Sequence, residues 1–129
     1  MIITKIIFHG EIMRVDKLWG YELFLTNTEF YCGKIIHIYK NKKGSFHYHK
    51  NKDETFYIQI GKIGLKYSWD NDFENAKYIE LNEGDSFRIF ANMRHQIIGL
   101  EESDIIEIST HDEESDSYRV ISSDKFIGV

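Results

Sequence analysis

The chain reads as an all-β protein, an antiparallel sandwich or barrel, on three observations. Seven short runs rich in β-branched and aromatic residues are separated by clusters of glycine, asparagine and aspartate. No segment carries a 3.6-residue apolar repeat over three turns, so little helix is expected. At 129 residues, with 42% hydrophobic and 15% aromatic content, the chain can build one core but not two. Many short strands in one domain are the pattern of a sandwich or barrel.

Taken in order, the N-terminal MIITKIIF is read as a first, edge-type β-strand. Its apolar run is short, Lys5 interrupts it, and it has neither the cleavage site of a signal peptide nor the length of a membrane span. Strands are then expected at 21–25, 34–39, 54–60, 63–69, 86–90, 95–98 and 104–110. With no proline in the chain, the turns between them rest on Gly, Asn and Asp, at 41–44, 70–72 and 82–84. Residues 1–30 are assigned to N-terminal strands, 31–110 to the barrel and 111–129 to a C-terminal tail whose last dozen residues are loosely held. The acidic run 112–116 is read as a solvated loop. Tyr39, Phe56, Tyr67, Trp69 and Phe87 are assigned to the core, one or two of them facing a pocket, and Trp19 is read as a core plug.

Sixteen basic against 21 acidic residues give a net charge of −5, which disfavours nucleic acid as a partner. The single cysteine, Cys32, allows no internal disulfide and suits a reducing compartment, so a cytoplasmic protein with no membrane partner is expected.

The stretch with the most chemistry is GSFHYHKNKDETFYIQIG. Residues two apart on a strand share a face, so His47 and His49 project together, and Glu54 follows across a turn. Two imidazoles and a carboxylate suit a borderline divalent ion such as Zn, Mn, Fe or Ni. The spacing alone leaves the choice between a metal site and a polar strand end open. A second stretch, from Gly84 to His95, adds a histidine eleven residues beyond a turn glycine.

Together the two stretches resemble the paired motifs of the cupin superfamily. In the first motif, His47 and His49 hold the HxH, Glu54 follows after four residues and Gly61 after six more, while Gly44 stands closer to His47 than the pattern has it. In the second, Gly84 and His95 match, but Phe90 replaces a proline, Asn92 a glycine and Gly99 an asparagine. Asn92 tolerates the left-handed backbone that the replaced glycine would adopt. The resemblance implies a double-stranded β-helix, or jelly-roll barrel, that holds one divalent transition metal on His47, His49, Glu54 and His95.

A narrower resemblance is to the phosphomannose isomerase branch of the cupins. It rests on Lys17-Leu-Trp-Gly20, Tyr31-Cys-Gly-Lys-Ile-Ile-His37, Ile106-Glu-Ile-Ser-Thr110 and Asp116-Ser-Tyr-Arg119. The sequence departs from that branch where Leu18 replaces proline, and around Lys52 and Thr55. The resemblance implies a sugar or sugar-phosphate isomerase, with Glu107 and Glu54 as candidate catalytic carboxylates. Lys52, Arg119 and His111 become candidate substrate contacts. It also implies a small carbohydrate as ligand and a homodimer as the assembly. The alternatives are a non-catalytic sugar-binding cupin, a sugar-nucleotide ketoisomerase or epimerase, and an iron-dependent dioxygenase. His37, mid-strand, is read as a satisfied sheet-face histidine.

Overall fold

A computed structural model describes residues 12–128, so the strand expected at MIITKIIF lies outside the described residues. The described residues form two antiparallel sheets. The strands are β1 (Met13–Lys17), β2 (Gly20–Asn27), β3 (Cys32–Ile38), β4 (Phe46–Tyr48), β5 (Glu54–Ile60), β6 (Lys62–Ser68), β7 (Lys77–Asn82), β8 (Ser86–Ile89), β9 (Arg94–Gly99), β10 (Ser103–Ser109) and β11 (Tyr118–Ile121). One sheet has the order β1-β2-β3-β10-β5-β8 and the other β11-β4-β9-β6-β7. The chain passes repeatedly between them, the jelly-roll arrangement expected from the sequence. Two short 3-10 turns, Glu114–Asp116 and Ser123–Phe126, complete the secondary structure.

Alternation along the strands decides what lies between the sheets. On β3 the buried residues are Cys32, Lys34, Ile36 and Ile38, and on β10 they are Ser103, Ile105, Glu107 and Ser109. The register sets Ile36 beside Ile105 beside Ile58, and two residues along sets Lys34 beside Glu107 beside Phe56. Facing them, His47 pairs with His95, while Ile97 and Leu65 pair one step deeper. One end of the sandwich is therefore an apolar core of Ile36, Ile38, Ile58, Ile63, Leu65 and Ile105, and the other end is lined with polar groups. Each fully buried isoleucine contributes about 1.5–3 kcal/mol, which lets the apolar end carry the cost of a polar one.

The turns work without proline because asparagine and glycine take the left-handed backbone. Asn92, which stands where the motif has glycine, has φ 70°, and Gly61, between β5 and β6, has φ 91°. A Cβ on Gly61 would lie 2.5 Å from the carbonyl oxygen of Glu102, so no other residue fits this passage from one sheet to the other.

Three expectations need correction. Within the last dozen residues, those described are not loosely held: β11 pairs with β4, and Phe126 packs on Phe73. Trp69 and Tyr39 are not core; they are 61% and 37% exposed, each lying one residue beyond its strand, β6 and β3. The acidic run is not a solvated loop, since Asp112 and the buried Asp116 are both bonded inward. Tyr67 and Phe87 do pack on the core, with ring centroids 5.1 Å apart, and Phe56 is buried within it. Trp19 packs on the core as well.

Candidate metal centre

His47 comes from β4, His95 from β9, and His49 lies one residue beyond β4. Their ligand atoms all lie within 4.8 Å of one another. Each ring is oriented by a backbone carbonyl on its far side: His47 Nδ1 is 3.2 Å from Ser45 O, His49 Nδ1 3.0 Å from Asp116 O, and His95 Nδ1 3.0 Å from Met93 O. A carbonyl can only accept, so a neutral His49 or His95 ring bonded this way carries its proton on Nδ1 and keeps the Nε2 lone pair, while His47 Nδ1 also meets the Ser45 hydroxyl at 2.9 Å, which can donate or accept. Imidazoles oriented by outer partners are what a metal needs from histidine. Burial, then the neighbouring imidazoles, hold His47 well below the usual histidine range, and burial brings His49 down to about 4. His47 and His49 are therefore held as neutral donors at ordinary pH.

Glu54 completes the set from β5. Its Oε1 is 3.4 Å from His95 Nε2 and its Oε2 is 3.4 Å from His49 Nε2. Burial is the largest single influence and works against its charge, but Lys52, His95 and His49 together hold the carboxyl well below the usual range. Oε2 lies 3.2 Å from Lys52 Nζ yet receives no directed hydrogen bond, although it is fully enclosed. An ionised oxygen without a directed donor, facing imidazole nitrogens, is an acceptor that a bound cation would satisfy. The donor set thus fits a divalent transition-metal ion, held by His47, His49, His95 and Glu54.

These groups line a cavity of about 390 Å³ that also takes in Trp19, Glu107, Lys52 and Arg119. No family model and no curated protein sequence matches the chain. Solved structures do match. KdgF from Halomonas sp. aligns with a TM-score of 0.67 at 16% identity, over 84% of this chain and 92% of its own. Oxalate decarboxylase from Bacillus subtilis gives 0.71 at 18% identity, over 84% of this chain and 30% of its own. CapF, solved with the inhibitor 3-isopropenyl-tropolone, gives 0.68 at 18% identity, over 86% of this chain and 35% of its own. The chain has the cupin fold. It spans most of KdgF but only about a third of the other two chains.

Within this cupin fold the other candidates fall in different places. Glu107 is buried on β10 and lines the cavity, its Oε2 accepting from Lys52 Nζ at 3.0 Å. Burial, then the charge of Glu54, raises its pKa. Lys52 is 3% exposed, with Asp112 at 2.7 Å, Glu107 at 3.0 Å and Glu54 at 3.2 Å. Burial opposes its charge, but Glu107, Glu54 and Asp112 together raise its pKa. Arg119, on β11 opposite His47, lines the same cavity at its exposed rim. His111 is not brought to this cavity. Its Nδ1 donates to Thr28 O at 2.7 Å, in a separate shallow depression with Phe30 and Asn51. His37 is a satisfied sheet-face residue, bonded to Asp104 at 2.6 Å and stacked on Tyr21.

Four residues at this site were given no site role from the sequence: Lys34, Glu22, Asp112 and Asp116. Lys34 Nζ lies 3.1 Å from Glu22 and 3.3 Å from Asp112, and it is 4% exposed. Its signal was available, because Lys34 shares strand parity with Ile36 and Ile38, and Glu107 shares it with Ile105. Asp116 accepts the backbone N–H groups of Lys50, Asn51 and Lys52 at 2.9–3.2 Å, while its own carbonyl receives His49. It thereby sets the turn between two ligands, His49 and Glu54. Nothing local to the 112–116 run reports that role.

Proposed function

We propose that this cupin is a metal-dependent sugar isomerase, moving a proton between adjacent carbons of an aldose or ketose. The observation that carries the reading is Glu107, a buried carboxyl of raised pKa on the wall of the cavity that holds the three histidines. A carboxyl poised upward suits proton exchange near neutral pH better than a solvated one. A bound divalent ion supplies Lewis-acid stabilisation for charge on substrate oxygens. Manganese centres described for oxalate decarboxylase support a divalent ion in this fold.

The chain's own residues supply the remainder. His47, His49, His95 and Glu54 hold the ion. Glu107 takes a proton from the carbon beside the carbonyl and returns it to the neighbouring carbon. Lys52, between Glu54 and Glu107, fixes both carboxyls. Trp19 lines the wall, and an aromatic ring there is a common support for the apolar face of a sugar. A cavity of about 390 Å³ is of the size that binds one small molecule.

The test is solvent exchange. Metal-replete protein in deuterated water is incubated with a panel of aldoses and ketoses, and NMR follows deuterium entry at C2. Exchange that disappears in Glu107→Gln, with metal content unchanged, is the expected result. No exchange with any sugar, or exchange indifferent to Glu107→Gln, would refute the reading.

A further inference from the structure

The buried lysines of the cavity are already engaged by carboxylates. Lys52 Nζ, with three donors, has three carboxylates within 3.2 Å: Asp112, Glu107 and Glu54. Lys34 Nζ lies against Glu22 and Asp112, with Glu107 at 3.9 Å and the Phe24 ring face 4.5 Å away. Glu22 also lies 3.8 Å from Lys17, which lines the cavity nearer its mouth, so the cations closest to the histidines are each already faced by carboxylates. A dianionic substrate group reaching that depth would have to compete with these carboxylates for the two buried ammonium groups, at the high cost of burying like charges together.

The arrangement is built rather than incidental. Asp112 bridges both lysines, and its loop is pinned by a reciprocal pair: Asn27 Nδ2 donates to Asp112 O, and Asp112 N–H donates to Asn27 Oδ1, both at 3.0 Å. Glu22 reaches Lys34 from β2, on the other side.

We infer that the cavity selects a substrate whose buried end is uncharged, and that Asp112 and Glu22 set this preference by keeping Lys34 and Lys52 occupied. The inference rests on the cavity being the substrate site, not on the reaction proposed for it. It gives Lys52 the role of an internal counter-ion rather than an anion contact. Arg119, at the rim, remains the place for any anionic substituent.

Sulfate is the probe, since it stays dianionic and binds divalent ions weakly, and sorbitol is the uncharged one. Calorimetry on metal-replete native protein should show no saturable sulfate binding. Glu22→Gln/Asp112→Asn should bind sulfate at least about tenfold more tightly than native protein, with sorbitol affinity changed by less than about threefold. Should that double variant fail to fold, Asn27→Ala carries the test, because releasing the Asp112 loop should also expose sulfate binding. Native protein that binds sulfate as tightly as a folded variant would overturn the inference, as would a folded variant with no gain. Lost C2 exchange with this selectivity intact would remove the isomerase reading and leave the selectivity standing.

Discussion

The two walls of the cavity bury their polar groups in opposite ways. On the five-stranded side, the polar groups are imidazoles, His47 and His95 with His49 just beyond β4, each meeting a carbonyl on its far side. On the six-stranded side, Lys34, Glu54 and Glu107, joined by Lys52 and Asp112, are held as opposed charges within a few ångströms. A neutral imidazole costs little to bury and tolerates the loss of its neighbours. A buried ammonium is tolerable only while its carboxylates remain. The histidine wall is thus separable from folding, whereas the charged wall is part of it.

The largest effect that tests this contrast is expected at Lys52. Lys52→Met leaves Glu54, Glu107 and Asp112 without their shared cation and should destabilise the metal-free protein by about 3–5 kcal/mol in urea unfolding. His95→Ala should cost clearly less in the same assay, and equal losses would erase the distinction between the walls.

A pH series probes the histidine wall next. The folded pKa of His49 is about 4, against an ordinary value of 6.5, and His47 is shifted the same way. The unfolded chain therefore binds more protons between those limits. Stability of the metal-free protein should be fully present above pH 6.5 and fall as pH drops towards 4. The loss should be roughly 3 kcal/mol for His49. His49→Gln should flatten this slope, as measured by denaturant midpoints across the range.

Asp116 joins the walls, since it orients His49 and fixes the turn that leads to Glu54. Asp116→Ala should lose about 2–3 kcal/mol by thermal unfolding and weaken metal binding by roughly tenfold to a hundredfold. The smallest effect is expected outside the cavity. Trp69→Ser, at an exposed position just beyond β6, should stay within about 0.5 kcal/mol of native and leave metal content unchanged.

The same contrast explains what the sequence made legible. The histidine wall is local: HxH, the glutamate and the later histidine sit at fixed offsets from turn glycines, so spacing reports them. Period-two alternation likewise located most of the strands, and Asn92 was read correctly as a left-handed turn residue. The charged wall is assembled from β2, β3, β10 and two loops far apart in the chain. Lys34 meets Glu22 and Asp112 only through sheet register, and Asp116 meets its three amides only through the closing strand β11. The short or exposed strands β1, β7 and β11 carried too little alternating apolar character to stand out, because a sheet edge buries few side chains.

Metal content tests the central claim most directly. Protein purified without added metal, or dialysed against Mn, Fe, Zn or Ni and then washed, is analysed for its elements alongside His47→Ala and His95→Ala. The account predicts about one divalent ion per native chain, lost in both variants while their circular dichroism stays native. Native protein that retains no ion under any of these conditions would contradict it.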